Sequence, residues 1–562
     1  MIDWLGGMVG FSGPFPGNLR MPPKTIQLDP RDNVLVALTD LPAGESIAYA
    51  GQSYTVTMNI PAKHKFAIED FPAGAEIRMY GVTVGRAHEP IGRGGLLTTQ
   101  NVVHDAAGFA ATHQHNQWQP PDVSRWSERS FLGFHRQDGQ VGTRNYWLVV
   151  PLVFCENRNV DALREAFEEE LGYGRPKLYR QQVRELLKSY REDGSASGSD
   201  AAALPKRVFL NVDGIKFLVH QGGCGGTRDD SRALCGLLAG YIHHPNVAGA
   251  TVLSLGCQNA QVSNLMEELK RRDPSLAKPV YVFEQQKSGL ESAMLSEAIK
   301  KTFEGLVEAN KIERQPTPLS KLTVGLKCGG SDGFSGISAN PAIGHVSDMM
   351  AALGGKSLLS EFPELCGVEQ SLINRCAREE SAERFIQLMR SYQARAKAVH
   401  SGFEMNPSPG NIRDGLLTDA MKSAGAARKG GTSPVQDVLD YPEYVRESGL
   451  SLQCTPGNDV ECVTAQTGAG ANIVLFTTGL GTPTGNPITP VIKLATNTKL
   501  AQRMSDIIDI DTGAVIDGAS SIEEMGESIM ELIIAVASGE KQTKAEGLRQ
   551  DDFIPWKRGV SL

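Results

Sequence analysis

Leu322-Thr323-Val324-Gly325-Leu326 runs through Lys327 into Cys328-Gly329-Gly330-Ser331-Asp332-Gly333. A short apolar run reads as a buried strand, and the glycines behind it read as a loop drawn close to a ligand. The order recurs upstream. Gly222-Gly223-Cys224-Gly225-Gly226 follows the run from Ile215 to Val219, and Gly256-Cys257-Gln258-Asn259 follows Val252-Leu253-Ser254-Leu255. Cys155-Glu156-Asn157 follows the run from Trp147 to Phe154. Helical patterns separate these units, and alternating strands and helices predict parallel sheets with ligands beyond the strands' carboxyl ends. The expected fold class is multidomain α/β: two α/β domains with mainly parallel sheets behind a small N-terminal all-β domain.

A chain of 562 residues is long enough for several domains. Its 41% hydrophobic and 21% charged residues are those of an ordinary globular protein. A net charge of −8 gives no basic footprint for nucleic acid. No apolar stretch reaches the roughly 18 residues of a membrane span. Nine cysteines without paired short spacings argue for reduced, cytoplasmic thiols over a disulfide framework. A homo-oligomer is the expected assembly.

Residues 1–27 are rich in Gly and Pro, lack the order of a signal peptide, and read as a tail. Residues 28–105 carry short apolar runs between turns, with Pro-Ala-Gly at Pro42 and again at Pro72, and predict small β-strands with two similar hairpin turns. Residues 106–130 read as a linker, 131–317 as the middle α/β domain and 318–562 as the C-terminal one. The break falls where Gln315-Pro316-Thr317-Pro318 interrupts. Helices are expected over 159–171, 263–272 and 292–310, and a buried strand over 471–478. Residues 172–206 read as an insert: a basic helix and then the flexible run Gly194-Ser195-Ala196-Ser197-Gly198-Ser199.

Several blocks occur together and in order: Ile60-Pro61-Ala62-Lys63-His64-Lys65-Phe66-Ala67, Gly133 to Asn145, His243-His244-Pro245-Asn246-Val247, Cys328 to Gly336, and Lys493 to Thr498. They resemble the altronate and galactarate dehydratase family over the chain from about residue 28 onward. The first block resembles that family's small SAF (β-clip) domain. The resemblance implies a metal-dependent sugar-acid hydro-lyase using Fe2+, or Mn2+ in its place. Val212-Asp213-Gly214-Ile215-Lys216 looks closer to the altronate type, which implies D-altronate giving 2-keto-3-deoxy-D-gluconate and water. The alternatives are a galactarate dehydratase or a sulfolactate sulfo-lyase type of lyase, and a non-catalytic sugar-acid-binding protein. Where family members carry His-x-His-x-Asn, this chain has Leu97-Thr98-Thr99-Gln100-Asn101.

Dehydration of a 2,3-dihydroxy acid needs a base for the weakly acidic C2 proton and help for the C3 hydroxide. His64 is the first candidate base or ligand; the neighbouring Lys63 and Lys65 are expected to depress its pKa. By composition alone it reads as a surface histidine, and the family block reverses that. His220, at a strand end, is a second catalytic candidate or a core histidine satisfied by backbone. His243 and His244 read as cap and surface residues. Arg144 and Asn145 suit a carboxylate clamp and a hydroxyl contact, or a capped turn. Ser331, Asp332, Ser335 and Lys493 offer further groups to a polyol. Glu361 and Glu364 read as oxygen ligands, an acid group or a solvated turn. Cys224, Cys257 and Cys328 have three readings: inert packing, ligands of a single soft metal, or ligands of an iron–sulfur cluster.

Overall fold

The computed structural model describes residues 23–106, 108–110, 117–174, 178–190 and 206–561. The run Gly194 to Ser199 and most of the N-terminal tail lie outside the described residues.

The N-terminal unit is all β. Val34–Ala37 pairs antiparallel with Thr25–Ile26 and with Lys65–Ala67. Ser46–Tyr49 and Gln52–Thr55 form one hairpin, and Glu76–Met79 and Val82–Ala87 another. Both Pro-Ala-Gly segments close the same turn, with Glu45 N–H donating to the Pro42 carbonyl at 3.1 Å and Ala75 N–H to the Pro72 carbonyl at 3.0 Å. They precede the hairpins and do not form their tips.

The middle unit has a parallel sheet of β1 (Tyr146–Pro151), β2 (Gly214–Phe217), β3 (Val247–Ser254) and β4 (Val280–Glu284), in the order β2-β1-β3-β4. Alternation along β1 sends Tyr146, Leu148 and Val150 to one face, beside helices Arg228–His243 and Val262–Arg272. Trp147 and Val149 go to the other, beside helices Asn157–Glu170 and Glu291–Ala309. A sheet covered on both faces is the setting in which parallel strands are stable.

A small antiparallel sheet closes this unit. Ser130–His135 lies between Val141–Gly142 and Arg314–Pro318. The Pro-rich stretch at the expected domain boundary forms an edge strand. Pro316 and Pro318 are two residues apart, so their missing N–H groups lie on one side, where an edge strand needs none.

The C-terminal unit is a seven-stranded parallel sheet of β5 (Thr323–Cys328), β6 (Lys356–Leu359), β7 (Val435–Leu439), β8 (Gly449–Gln453), β9 (Ile473–Thr478), β10 (Val491–Ala495) and β11 (Ile510–Asp511). The order β7-β8-β6-β5-β9-β10-β11 makes β5 the switch point. The chain leaves it to build β6 on one side and returns to lay β9 on the other. The crevice beyond the carboxyl ends of β5 and β9 is where such sheets bind ligands. Val34, Phe71, Val84 and Leu97 of the β-domain share one core with Phe334, Leu417 and Met421 of this unit. The β-domain is thus packed against the crevice loops.

Candidate active site

The glycine loop after β5 opens at that crevice. Asp332 is fully buried and heavily bonded. It accepts from Thr496 Oγ1 at 3.0 and 3.1 Å, from Ser335 Oγ at 3.0 Å and from the Phe334 N–H at 3.2 Å. Lys63 reaches it from the β-domain, Nζ to Oδ2 at 3.0 Å.

Three successive residues of the β-domain meet three successive residues of the C-terminal unit. Lys63 Nζ donates to Asp414 at 2.7 Å, His64 Nε2 contacts the Arg413 carbonyl at 3.0 Å, and Lys65 Nζ donates to the Gly415 carbonyl at 2.7 Å. Lys63 adopts φ +77°, a left-handed conformation costly for a side chain of its size. Gly415 has φ +91°, and a Cβ there would lie 2.4 Å from the Lys63 carbonyl oxygen. Only glycine lets the two backbones come this close.

The contacts set the charges. Burial lowers the His64 pKa, the Arg413 carbonyl opposes it, and Lys65 adds to it. Burial, more than the neighbouring cations, is thus the main cause. The contact with Arg413 assigns the proton to Nε2 and leaves Nδ1 as the basic nitrogen. Burial brings Lys65 down to about 7, against the pull of Asp332. Burial opposes charge on Lys63 too, but Asp332 and Asp414 outweigh it and its pKa rises.

Behind the loop lies a buried ionic network. Glu361 bridges Lys327 and Lys429, and Lys327 also meets Asp459 at 2.9 Å. Glu364 pairs with Lys422 at 2.9 Å. Cys328 Sγ lies 2.6 Å from Ser331 Oγ. Glu361 and Glu364 are therefore anchors for lysines and no solvated turn. The sequence reading passed over Lys327, Lys422, Lys429 and Asp414. Lys327 had a signal: a lysine inside an otherwise apolar buried strand must be paired. The others come from distant segments, with nothing local to single them out.

The remaining candidates lie elsewhere. Arg144 is buried in a two-pronged pair with Glu546, at 2.7 and 3.0 Å, and also bonds the Val536 carbonyl at 2.8 Å. Asn145 bonds Arg136 at 3.0 Å and the carbonyls of Asn211 at 2.7 Å and Ala309 at 3.0 Å. Both are committed to protein groups and leave no clamp for a substrate. His220 is buried, with Nε2 on the Pro151 carbonyl at 2.8 Å and Nδ1 accepting from the Gly222 N–H at 3.1 Å. Both its nitrogens are occupied, so it is the backbone-satisfied histidine and no free base. Lys493 bonds Gln550, and burial lowers its pKa to about 8. His244 is fully buried and His243 nearly so, contrary to the expected surface turn. Cys224 and Cys257 belong to the middle sheet and Cys328 to the C-terminal one, so those three do not form one set.

The dehydratase family implies a metal. Among the described residues, Asp138, His243 and Asp273 form the one group of three ligand atoms within 4.8 Å of one another. It lies at the amino end of β3, away from the crevice. Lys278 Nζ sits 2.7 Å from the His243 carbonyl, and burial, then Lys278, lowers the His243 pKa to about 4. At the crevice, Asp332 and Glu361 are already committed to lysines, whereas Glu364 gives one oxygen to Lys422 and keeps Oε2 without a hydrogen-bond partner.

Comparison with known proteins agrees along the whole chain. Residues 23–105 match the altronate/galactarate dehydratase SAF domain, 133–310 the D-galactarate dehydratase/altronate hydrolase second domain, and 319–561 the D-galactarate/altronate dehydratase C-terminal domain. Altronate dehydratase of Bacillus subtilis (strain 168) is 33% identical over 537 residues, covering 96% of this chain and 99% of that protein. The altronate dehydratase of Escherichia coli (strain K12) is 32% identical with the same coverage. Galactarate dehydratase (L-threo-forming) of that strain is 31% identical over 524 residues, covering 92% of this chain and 93% of its own. The family match and the relatives define a carbon–oxygen lyase. The chain belongs to the altronate/galactarate dehydratase family and is a sugar-acid dehydratase. No helix among the described residues is long and apolar enough to cross a membrane.

Proposed function

We propose that the chain dehydrates D-altronate to 2-keto-3-deoxy-D-gluconate at the junction of the Lys63–Lys65 turn and the Cys328–Asp332 loop. The observation that carries this reading is the register of Lys63, His64 and Lys65 on Asp414, Arg413 and Gly415. It sets a neutral imidazole and two lysines at the mouth of a parallel-sheet crevice.

His64 Nδ1 removes the C2 proton; burial keeps the ring neutral and available as a base. The lysine-rich wall stabilises charge that develops on the substrate carboxylate. The C3 hydroxide leaves, takes the proton that His64 removed and departs as water, and the enol tautomerises to the 2-keto-3-deoxy acid. A divalent metal, were one bound beside the substrate, would supply polarisation of the departing oxygen.

Charge balance supports the aldonate over a dicarboxylate. Four lysines (63, 327, 422 and 429) are paired with five carboxylates (332, 361, 364, 414 and 459), and Lys65, brought down to about 7, adds less than a full positive charge. Such a pocket accepts one negative charge more readily than two. The test is keto-acid formation by the purified chain, kept anaerobic with Fe2+, on altronate and galactarate side by side. A kcat/KM for altronate at least tenfold higher is expected. No product from altronate, or a preference for galactarate, overturns the assignment.

A further inference from the structure

The crevice leaves unused the three cysteines at the carboxyl ends of the middle sheet. Cys155 follows β1, Cys224 follows β2 and Cys257 follows β3, and these strands are neighbours in the order β2-β1-β3. Pro151 of β1 is in register with Leu253 of β3, so Cys155 and Cys257 each stand four residues beyond the same rung. The loop carrying Cys224 is wedged between the other two. Its Gly222 carbonyl accepts from the Phe154 N–H at 3.1 Å, and its Gly223 carbonyl accepts from the Ala260 N–H at 3.1 Å. Gly223 has φ +97°, and a Cβ there would fall 2.2 Å from the Leu152 carbonyl oxygen.

Exposure separates these thiols from the rest. Cys155, Cys224 and Cys257 are exposed, whereas the other six cysteines are buried. Buried cysteines act as small apolar side chains. Three exposed thiols on three adjacent loops have no such packing role.

We propose that Cys155, Cys224 and Cys257 are three ligands of an iron–sulfur cluster, at a site separate from the Cys328 crevice. Their spacing does not fit a single tetrahedral ion. Tetrahedral thiolates on one ion, with bonds of about 2.3 Å, stand roughly 3.8 Å apart. These sulfurs do not fall within 4.8 Å of one another. In a cluster each thiolate binds a different iron and the sulfurs stand wider. Loop N–H groups donating toward the sulfurs are a known means of tuning such centres. Three protein ligands leave one iron uncovered. A cavity of about 610 Å³, lined by Cys224, Asn157, Asp230 and Lys557 among others, gives that iron room for a small ligand.

The site is tested on the full chain purified without oxygen or reconstituted with Fe2+ and sulfide. Iron and acid-labile sulfide in equal amounts, with thiolate-to-iron absorption near 400 nm, are expected. Cys155→Ser, Cys224→Ser and Cys257→Ser should each lose most of the iron and sulfide, while Cys328→Ser retains them. Absence of sulfide, a single metal without sulfide, or equal content in all four variants overturns the proposal. Should a variant fail to fold, alkylation of the wild-type chain decides. Cys155, Cys224 and Cys257 are to be protected from iodoacetamide in the reconstituted form and open after chelation; equal labelling overturns the proposal. None of these readouts depends on turnover of altronate.

Discussion

At the scale of single residues, the site turns on what burial does to basic groups. His64 is held neutral mainly by desolvation, with its Nε2 proton spent on the Arg413 carbonyl. A base with a pKa below its ordinary 6.5 stays unprotonated to lower pH, so kcat/KM should hold on acidification through 6.5 and fall only below it. His64→Gln should lower kcat by about 10²–10⁴-fold, move KM little and abolish that acid limb. An unchanged limb in the variant would remove His64 as the base. The residue scale also corrects Arg144. Its type and its place after a turn suggest a carboxylate clamp, yet both prongs of its guanidinium are on Glu546. Removing one partner of a buried pair costs about 3–5 kcal/mol. Arg144→Ala should therefore lose roughly that much in urea unfolding, with KM of the folded fraction unchanged. A large rise in KM with stability intact would restore the clamp.

At the scale of elements, the decisive contact joins a turn to a loop. The Lys63–Lys65 turn and the Arg413–Gly415 loop are locked backbone to backbone, with Lys63 at φ +77° and Gly415 at φ +91°. Gly415→Ala adds a Cβ that meets the Lys63 carbonyl, and the β-domain must shift. The expected result is a fall in kcat on the order of 10²-fold from misplacement of His64, with far-UV circular dichroism unchanged. Full activity in that variant would separate the turn from the chemistry. Strands behave differently. The apolar runs at 322–326 and 471–478 were legible as strands, because a strand buried on both faces shows as a continuous apolar run. The Pro-rich segment at 315–318 lies between the stretches matched by the second and C-terminal family domains, and it is also an edge strand, because proline excludes only a central one.

At the scale of the whole molecule, two parallel sheets and a β-domain share the work unequally. The C-terminal sheet places its switch point under the β-domain, and the middle sheet turns its own three thiol loops to solvent. By itself the sequence determined the class of fold, the glycine loops at strand ends and the family, since period, turn chemistry and motif order are local and survive in one dimension. It also marked His64 and the Cys328–Asp332 loop as chemically unusual. Only the tertiary structure decided which of these meet. It put His64 on the Arg413 carbonyl about 350 positions away, paired Glu361 with Lys327 and Lys429, and withdrew Arg144, Asn145 and His220 into the framework. It also set the loops of Cys155, Cys224 and Cys257 at the ends of three adjacent strands, and Cys328 on a different sheet. The physical reason is common to all of these. A side chain's role depends on which partners remove it from water, and those partners are chosen by packing between segments far apart in sequence.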